Sequence, residues 1–305
     1  MTNDAWPTLP YAEWASTKKT LHLCAQMLGK VRLALAPPQP EWLHSCLYLD
    51  PRGFTTGAMP NGTQIASVGI DVFGRVLWLR AGEGRSTTLP LVSGRSVAEI
   101  WADFQGALQA LGVEVDLWDK PQEMADVTLF SQNTGGCVFD PEHARRFHRL
   151  LASLEGAFEE FRSPFFGRSG VQFWWGTFDL AVLLFTGKQV PPPEDLGYIM
   201  RYDLDAQHMN AGFWPGDDAN PQAAFYAYLV PRPPGCALAV IEPEHCSWVE
   251  AMGEWILPYD KVQTSEDPRG EVLTFLESVY RFAVSDGGWD AEAHRYTRPH
   301  PAQRS

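Results

Sequence analysis

Gln64-Ile65-Ala66-Ser67-Val68-Gly69-Ile70-Asp71-Val72-Phe73-Gly74-Arg75-Val76-Leu77-Trp78-Leu79-Arg80 is the stretch that decides the fold. Two runs rich in β-branched and aromatic residues flank Gly74. The gap leaves no room for a crossover helix, so the runs must pair as an antiparallel hairpin. Residues 43–49 before it and 87–92 after it are further short, turn-bounded strand candidates, which makes a meander. A helix over 11–35, stopped by Pro37 and Pro38, precedes the meander. A second helix follows it. Ser96 and Glu99 form a capping box, Ile100, Phe104, Leu108 and Leu111 form the apolar stripe, and Gly112 suits the C-terminal end. Residues 113–118 read as one more strand.

The second half repeats this order. Asp140-Pro141 starts a helix whose Phe147, Leu150, Leu151, Leu154, Phe158 and Phe161 share one face. Strand candidates follow at 171–175, 178–186, 208–213, 224–230 and 248–257. Asp267-Pro268 opens the last helix, with Val272, Phe275, Leu276 and Val279 on its stripe. The reading is an α+β fold: two antiparallel-sheet halves with segregated helices sharing one core. The halves span 1–120 and 140–290, joined by a junction at 121–139 and followed by a flexible tail from 291 to 305.

The chain has 305 residues, 24 basic and 37 acidic, for a net charge of −13. Residues 121–305 carry 14 of the basic and 26 of the acidic residues, so nearly all the excess lies there. That balance argues against nucleic acid or an anionic membrane surface as partner, since both need clustered Lys and Arg. No apolar run reaches the roughly 20 residues of a membrane span, and residues 1–10 lack the pattern of a secretory signal. Cys24, Cys46, Cys137, Cys236 and Cys246 are odd in number, scattered and without a C-x-x-C. A reducing cytoplasm is expected, with no paired-cysteine metal site and no cofactor.

Trp6-Pro7, Trp14, Thr20-Leu21-His22, Gln26, Gly29-Lys30 and Arg32 form a recognisable opening. Arg52-Gly53-Phe54-Thr55-Thr56, Trp175-Gly176-Thr177-Phe178-Asp179-Leu180-Ala181, Gly212-Phe213-Trp214-Pro215-Gly216, Phe225-Tyr226-Ala227-Tyr228 and Leu257-Pro258-Tyr259 continue it. Together they resemble domain-of-unknown-function family 5996 over roughly residues 6–290. The resemblance implies one unit spanning most of the chain, in a bacterial cytoplasm, and supplies no activity. The chain departs from the family pattern at Gln172, where a histidine is usual, and at Ala206-Gln207-His208, near a usual His-Glu pair. If those residues hold a metal in relatives, this chain has lost it.

Several residues carry candidate chemistry. On the first helix, His22 and Gln26 stack four apart beside the apolar face, and Arg32 projects near its centre. A buried guanidinium needs an anion, either a protein carboxylate or a ligand. Asp179 stands in an apolar run beside Ala181, Leu183 and Phe185. It is either an acid/base with a raised pKa or a turn residue at the strand's start. Glu254 alternates with Trp255, and a solvent-facing place is the simpler reading. Arg52 with Thr55 and Thr56 offers an anion subsite, although Asp50-Pro51-Arg52-Gly53 also reads as a plain β-turn. Of the 12 tryptophans, Trp174, Trp175, Trp214 and Trp255, with Tyr226 and Tyr228, lie in the second half, as walls of a pocket or an interface. The expectation is a small organic ligand, anionic and partly apolar, in an aromatic cavity between the halves. Gln26, Arg32, Arg52, Trp175, Trp214 and Tyr226 would bind it, and Asp179 and His22 would serve any proton transfer. The alternative is a non-catalytic interaction protein with an acidic surface and an aromatic homodimer patch.

Overall fold

A computed structural model describes residues 5–296. Its first element is α1 (Tyr11–Leu35), followed by β1 (Tyr48–Asp50), β2 (Gly53–Thr55), β3 (Met59–Asn61), β4 (Gln64–Asp71), β5 (Val76–Ala81), β6 (Arg85–Pro90) and α2 (Val97–Ala110). The second half contains α3 (Pro141–Arg162), β7 (Gln172–Trp174), β8 (Asp179–Gln189), α4 (Tyr198–Asp203), β9 (Ala206–Trp214), β10 (Ala224–Val230), β11 (Ser247–Val249), β12 (Glu254–Pro258), α5 (Tyr259–Gln263), α6 (Pro268–Ser285) and α7 (Ala291–His294). Two six-stranded antiparallel sheets result, so the fold is α+β. One runs β1-β2-β4-β5-β6 with β3 beside β4; the other runs β11-β12-β10-β9-β8-β7.

The sheets meet at their edges. Leu47 and Phe173 exchange backbone hydrogen bonds of 2.9 and 2.8 Å. A single cluster of buried apolar side chains runs through both halves. At its centre lies α1, which is buried on nearly every side from Trp14 to Arg32, rather than along the single face the spacing suggests. In the second sheet, Leu180, Phe213, Phe225 and Leu257 occupy neighbouring register positions and pack towards α3, α5 and α6. Trp255 joins that buried face and is lost to any pocket wall. The alternate residues of the same strands face the other way, and they make the site.

Three expectations need correction. Residues 113–118 alternate in burial, with Val113 and Leu117 inside, but form no strand because no neighbouring edge accepts their hydrogen bonds. Residues 248–257 are two strands, β11 and β12, joined by a turn containing Gly253 at φ 73°. The expected flexible tail begins as structure: α7 is capped by Asp290, and Arg295 pairs with Glu277 at 2.6 Å. Residues 297–305 lie outside the described residues. Among the described residues no helix is long and apolar enough to cross a membrane.

Candidate functional site

Period-two alternation puts Trp174, Asp179, Asn210, Gly212, Trp214, Tyr226, Tyr228, Glu254 and Ile256 on the face of the second sheet opposite its core. The register shows this directly: Trp174 pairs with Asp179, Gly212 with Tyr226 and Tyr226 with Ile256. All of these but Gly212, which Tyr226 covers, floor a cavity of about 980 Å³. Tyr11, Lys18 and His22 of α1 and the segment Gln122–Asp126 wall it. Trp42 and the α4 residues Ile199, Met200 and Asp203 close the top. The roof is pinned where Trp42 Nε1 donates to the Ile199 carbonyl at 3.0 Å and the Trp42 ring meets Tyr198 edge-on.

Asp179 sits deepest, 4% exposed. Thr177 Oγ1 donates to one carboxylate oxygen and Tyr226 Oη to the other. Tyr226 reaches it by lying across Gly212, where a Cβ would stand 2.6 Å from the phenol oxygen. Burial raises the Asp179 pKa to about 6 against those two donors, with Glu123 adding to the rise. Three more carboxyls surround the same space. Burial raises Glu254 to about 7, with help from Asp179. It raises Asp203 to about 7, helped by Glu123, Asp179 and Asp205. Glu123 is raised by burial as well. Basic side chains in the lining face other carboxylates. Lys19 pairs with Asp126 at 3.0 Å, while Lys18, lowered by burial to about 8, is drawn towards Asp217 and Asp218.

The sequence missed Glu123 and Asp203. Glu123 is carried by a loop with no periodicity. Gln26 holds that loop by a two-point clamp: Nε2 donates to the Gln122 carbonyl at 2.6 Å and Oε1 accepts from the Gln122 N–H at 3.0 Å. Its backbone is held at φ 56°, and its carboxylate lies against Gly176, where a Cβ would stand 1.8 Å away. Gln26 therefore positions the wall and does not line the cavity. His22 does line it, but its Nε2–H is spent on the carbonyls of Trp175 (3.0 Å) and Gly176 (2.9 Å). Burial, then Lys18, lowers its pKa to about 4, so it is neutral at physiological pH. Trp175 lies across Gly29 of α1 and donates from Nε1 to the Ser45 carbonyl at 2.9 Å. Trp214 and Tyr226 line the cavity as well.

Both arginines lie elsewhere. Arg32 is buried, yet it meets neutral acceptors: Nη1 donates to the Thr56 carbonyl and Nη2 to Tyr48 Oη at 2.9 Å, over the Tyr48 ring. It neither pairs with Asp179 nor reaches the cavity. Arg52 is exposed in the β1–β2 turn and bonded to Asp71 at 2.6 Å, the plain turn reading. The anion expectation rested on these two residues, and the cavity has lost both.

Of the positions that depart from the family pattern, Gln172 and His208 are buried and lie apart. Gln172 pairs with Ala181 near the base of β8, and His208 with Phe185 farther along it. Among the described residues no group of three or more His, Cys, Asp or Glu is arranged to hold a metal ion.

Fold and site together define a two-sheet α+β protein with a deep, aromatic-walled, carboxyl-rich cavity on one face of its second sheet. The chain belongs to the family of unknown function DUF5996, whose family model matches residues 6–296. No curated protein and no solved structure matches it.

Proposed function

We propose that this protein binds a small organic cation with an apolar body in the cavity between its second sheet, α1 and α4. One observation carries the reading: Glu123, Asp179, Asp203 and Glu254 converge on an aromatic-walled space, and among the described residues no basic side chain pairs with any of them. Desolvation raises the pKa of all four, so each ionises there less readily than in water. A cation reverses that balance, because each ionised carboxylate then gains a partner in a poorly solvated site. Trp42, Trp174, Trp214, Tyr226 and Tyr228 offer ring faces to an apolar body and to positive charge. Asp179 acts here as counter-ion, and the reading requires no reaction. The five free cysteines suit a reducing compartment such as the cytoplasm.

Calorimetric titration with 2-phenylethylammonium and with 3-phenylpropanoate tests the charge preference. The ammonium should bind, more tightly as pH rises from 5.5 to 8, since binding expels carboxyl protons. Tighter or equal binding of the carboxylate would overturn the reading.

One observation favours a second role beside this one. Tyr198, Ile199, Met200 and Tyr202 of α4 are all exposed, which suits a homodimer contact over the roof. Sedimentation of the Tyr198→Ser/Met200→Ser variant against the parent would reveal it as loss of a dimer.

A further inference from the structure

The carboxyls are spread around the cavity rather than gathered at one point, and this constrains the ligand beyond its sign. Asp179 stands on β8 and Glu254 on β12, with β9 and β10 between them. At about 4.8 Å per strand the two backbones are about 14 Å apart. Asp203 looks down from the end of α4 and Glu123 in from the side wall. The intervening floor is aromatic: Tyr226 and Tyr228 lie nearly parallel, 16° between planes and 6.5 Å between centroids. One monovalent head group can reach one end of this arrangement only. The other end would keep a half-buried carboxyl with no partner.

The hydrogen-bonding inventory adds a second constraint. Among the described residues, no donor is bonded to the carboxyl of Glu123, Asp203 or Glu254. Asn210, 8% exposed, lies on the same floor; its Nδ2 donates to Tyr228 Oη at 2.9 Å and its Oδ1 has no partner. The site is thus rich in unused acceptors, set against one buried unused donor, Trp174 Nε1. A quaternary ammonium would desolvate those acceptors and give nothing back, whereas a primary ammonium supplies three N–H donors.

We infer that the ligand is a linear amine with at least two primary ammonium groups joined by methylenes. One ammonium sits at Asp179 and Asp203 and another at Glu254, with the chain lying on Tyr226 and Tyr228. This inference rests on the cation reading above and narrows it to a class of compound.

Titration calorimetry at pH 7.5 with 1,6-diaminohexane, hexylamine and the bis-trimethylammonium analogue of the diamine tests it on the whole chain. The diamine should bind at least about tenfold tighter than either of the others, one tenfold step being what a single well-made ionic contact contributes. Glu254→Gln keeps the side chain's size; it should bring the diamine down to the level of hexylamine measured on the same variant. Hexylamine binding as tightly as the diamine would overturn the two-ammonium assignment and leave the cation reading standing. So would equal binding of the methylated analogue, or a diamine advantage that survives Glu254→Gln. Failure of all three compounds to bind would overturn both readings.

Discussion

Asp179→Asn should make the protein more stable at pH 8 while removing its affinity for organic cations. Asparagine matches aspartate in size, and the site has donors for either side chain. Folded Asp179 titrates near 6 against an ordinary 3.8, so at pH 8 the folded protein carries a carboxylate it would hold more easily as an acid. The difference of about 2.2 units is worth on the order of 3 kcal/mol at 1.36 kcal/mol per unit. Asparagine removes that penalty. It also replaces one accepting oxygen by an amino group, so either Tyr226 or Thr177 must turn from donor to acceptor, at a cost of about 1 kcal/mol. The net gain is about 2 kcal/mol at pH 8. Near pH 5 it shrinks to roughly half a kcal/mol, because the penalty declines once pH falls below the folded value of about 6 and vanishes only below the unfolded value of 3.8. Urea unfolding of parent and variant at both pH values reads this difference, and titration with 2-phenylethylammonium at pH 8 should show at least about a tenfold loss of affinity. A variant less stable than the parent by more than about 1 kcal/mol at pH 8 would refute the reasoning, since Asp179 would then be a structural acceptor.

The same raised carboxyls govern the parent's own pH dependence. Folded Asp203 and Glu254 hold protons to about pH 7 and Glu41 to about pH 8, above the range where the unfolded chain releases them, so stability falls as pH rises from 6 to 8. His22 and His208, lowered to about 4, act in the opposite sense only below about pH 6.5. A urea midpoint higher at pH 8 than at pH 6 would contradict this. Gly29→Ala, which in an open helix stabilises by up to about 1 kcal/mol, should here destabilise by about 1–3 kcal/mol, because the new methyl would stand 2.2 Å from the Trp175 ring. A shift in tryptophan emission should accompany the loss, and unchanged or increased stability would show that the ring is not seated there. Arg32→Met should lower stability by about 1–3 kcal/mol by orphaning the Thr56 carbonyl and the Tyr48 hydroxyl, and leave cation affinity within threefold. Lost affinity with stability retained would return Arg32 to the site.

The helices were legible because their signals are local. Asp140 accepts from the N–H groups of Glu142 and His143, Pro141 occupies the first turn, and the stripe from Phe147 to Phe161 is buried. Ser96 and Glu99 close their capping box as the spacing implies. Strands are legible only as far as a partner edge exists. Residues 64–81 find theirs across a short turn, whereas residues 113–118 carry the same alternation and have nothing to pair with. A pattern of burial records which way side chains point; hydrogen bonding across a ladder is decided by chain far away in sequence.

The site was legible where a residue contradicted its surroundings. A carboxylate inside the apolar run Asp179–Phe185 could be flagged from the sequence, and it lies deepest in the cavity. Glu254 alternates with Trp255 as expected, but the face it occupies is roofed by α4 and Trp42 and is no open surface. Glu123 and Asp203 owe their places to tertiary ties, the Gln26 clamp on Gln122 and the Trp42 hold on Ile199. Neither tie leaves a periodic mark. Arg32 misled for the opposite reason: a buried guanidinium whose Nη groups meet a carbonyl and a phenol carries the same sequence signature as one awaiting an anion. Once Arg32 is removed from the cavity, the basic side chains left in its lining, Lys18 and Lys19, face other carboxylates, and packing alone gives no reason for a fold to keep four further carboxyls around one space. Hydrophobic residues of similar size on that floor would leave the unliganded protein more stable. The stability forgone is recovered only when something positive fills the cavity.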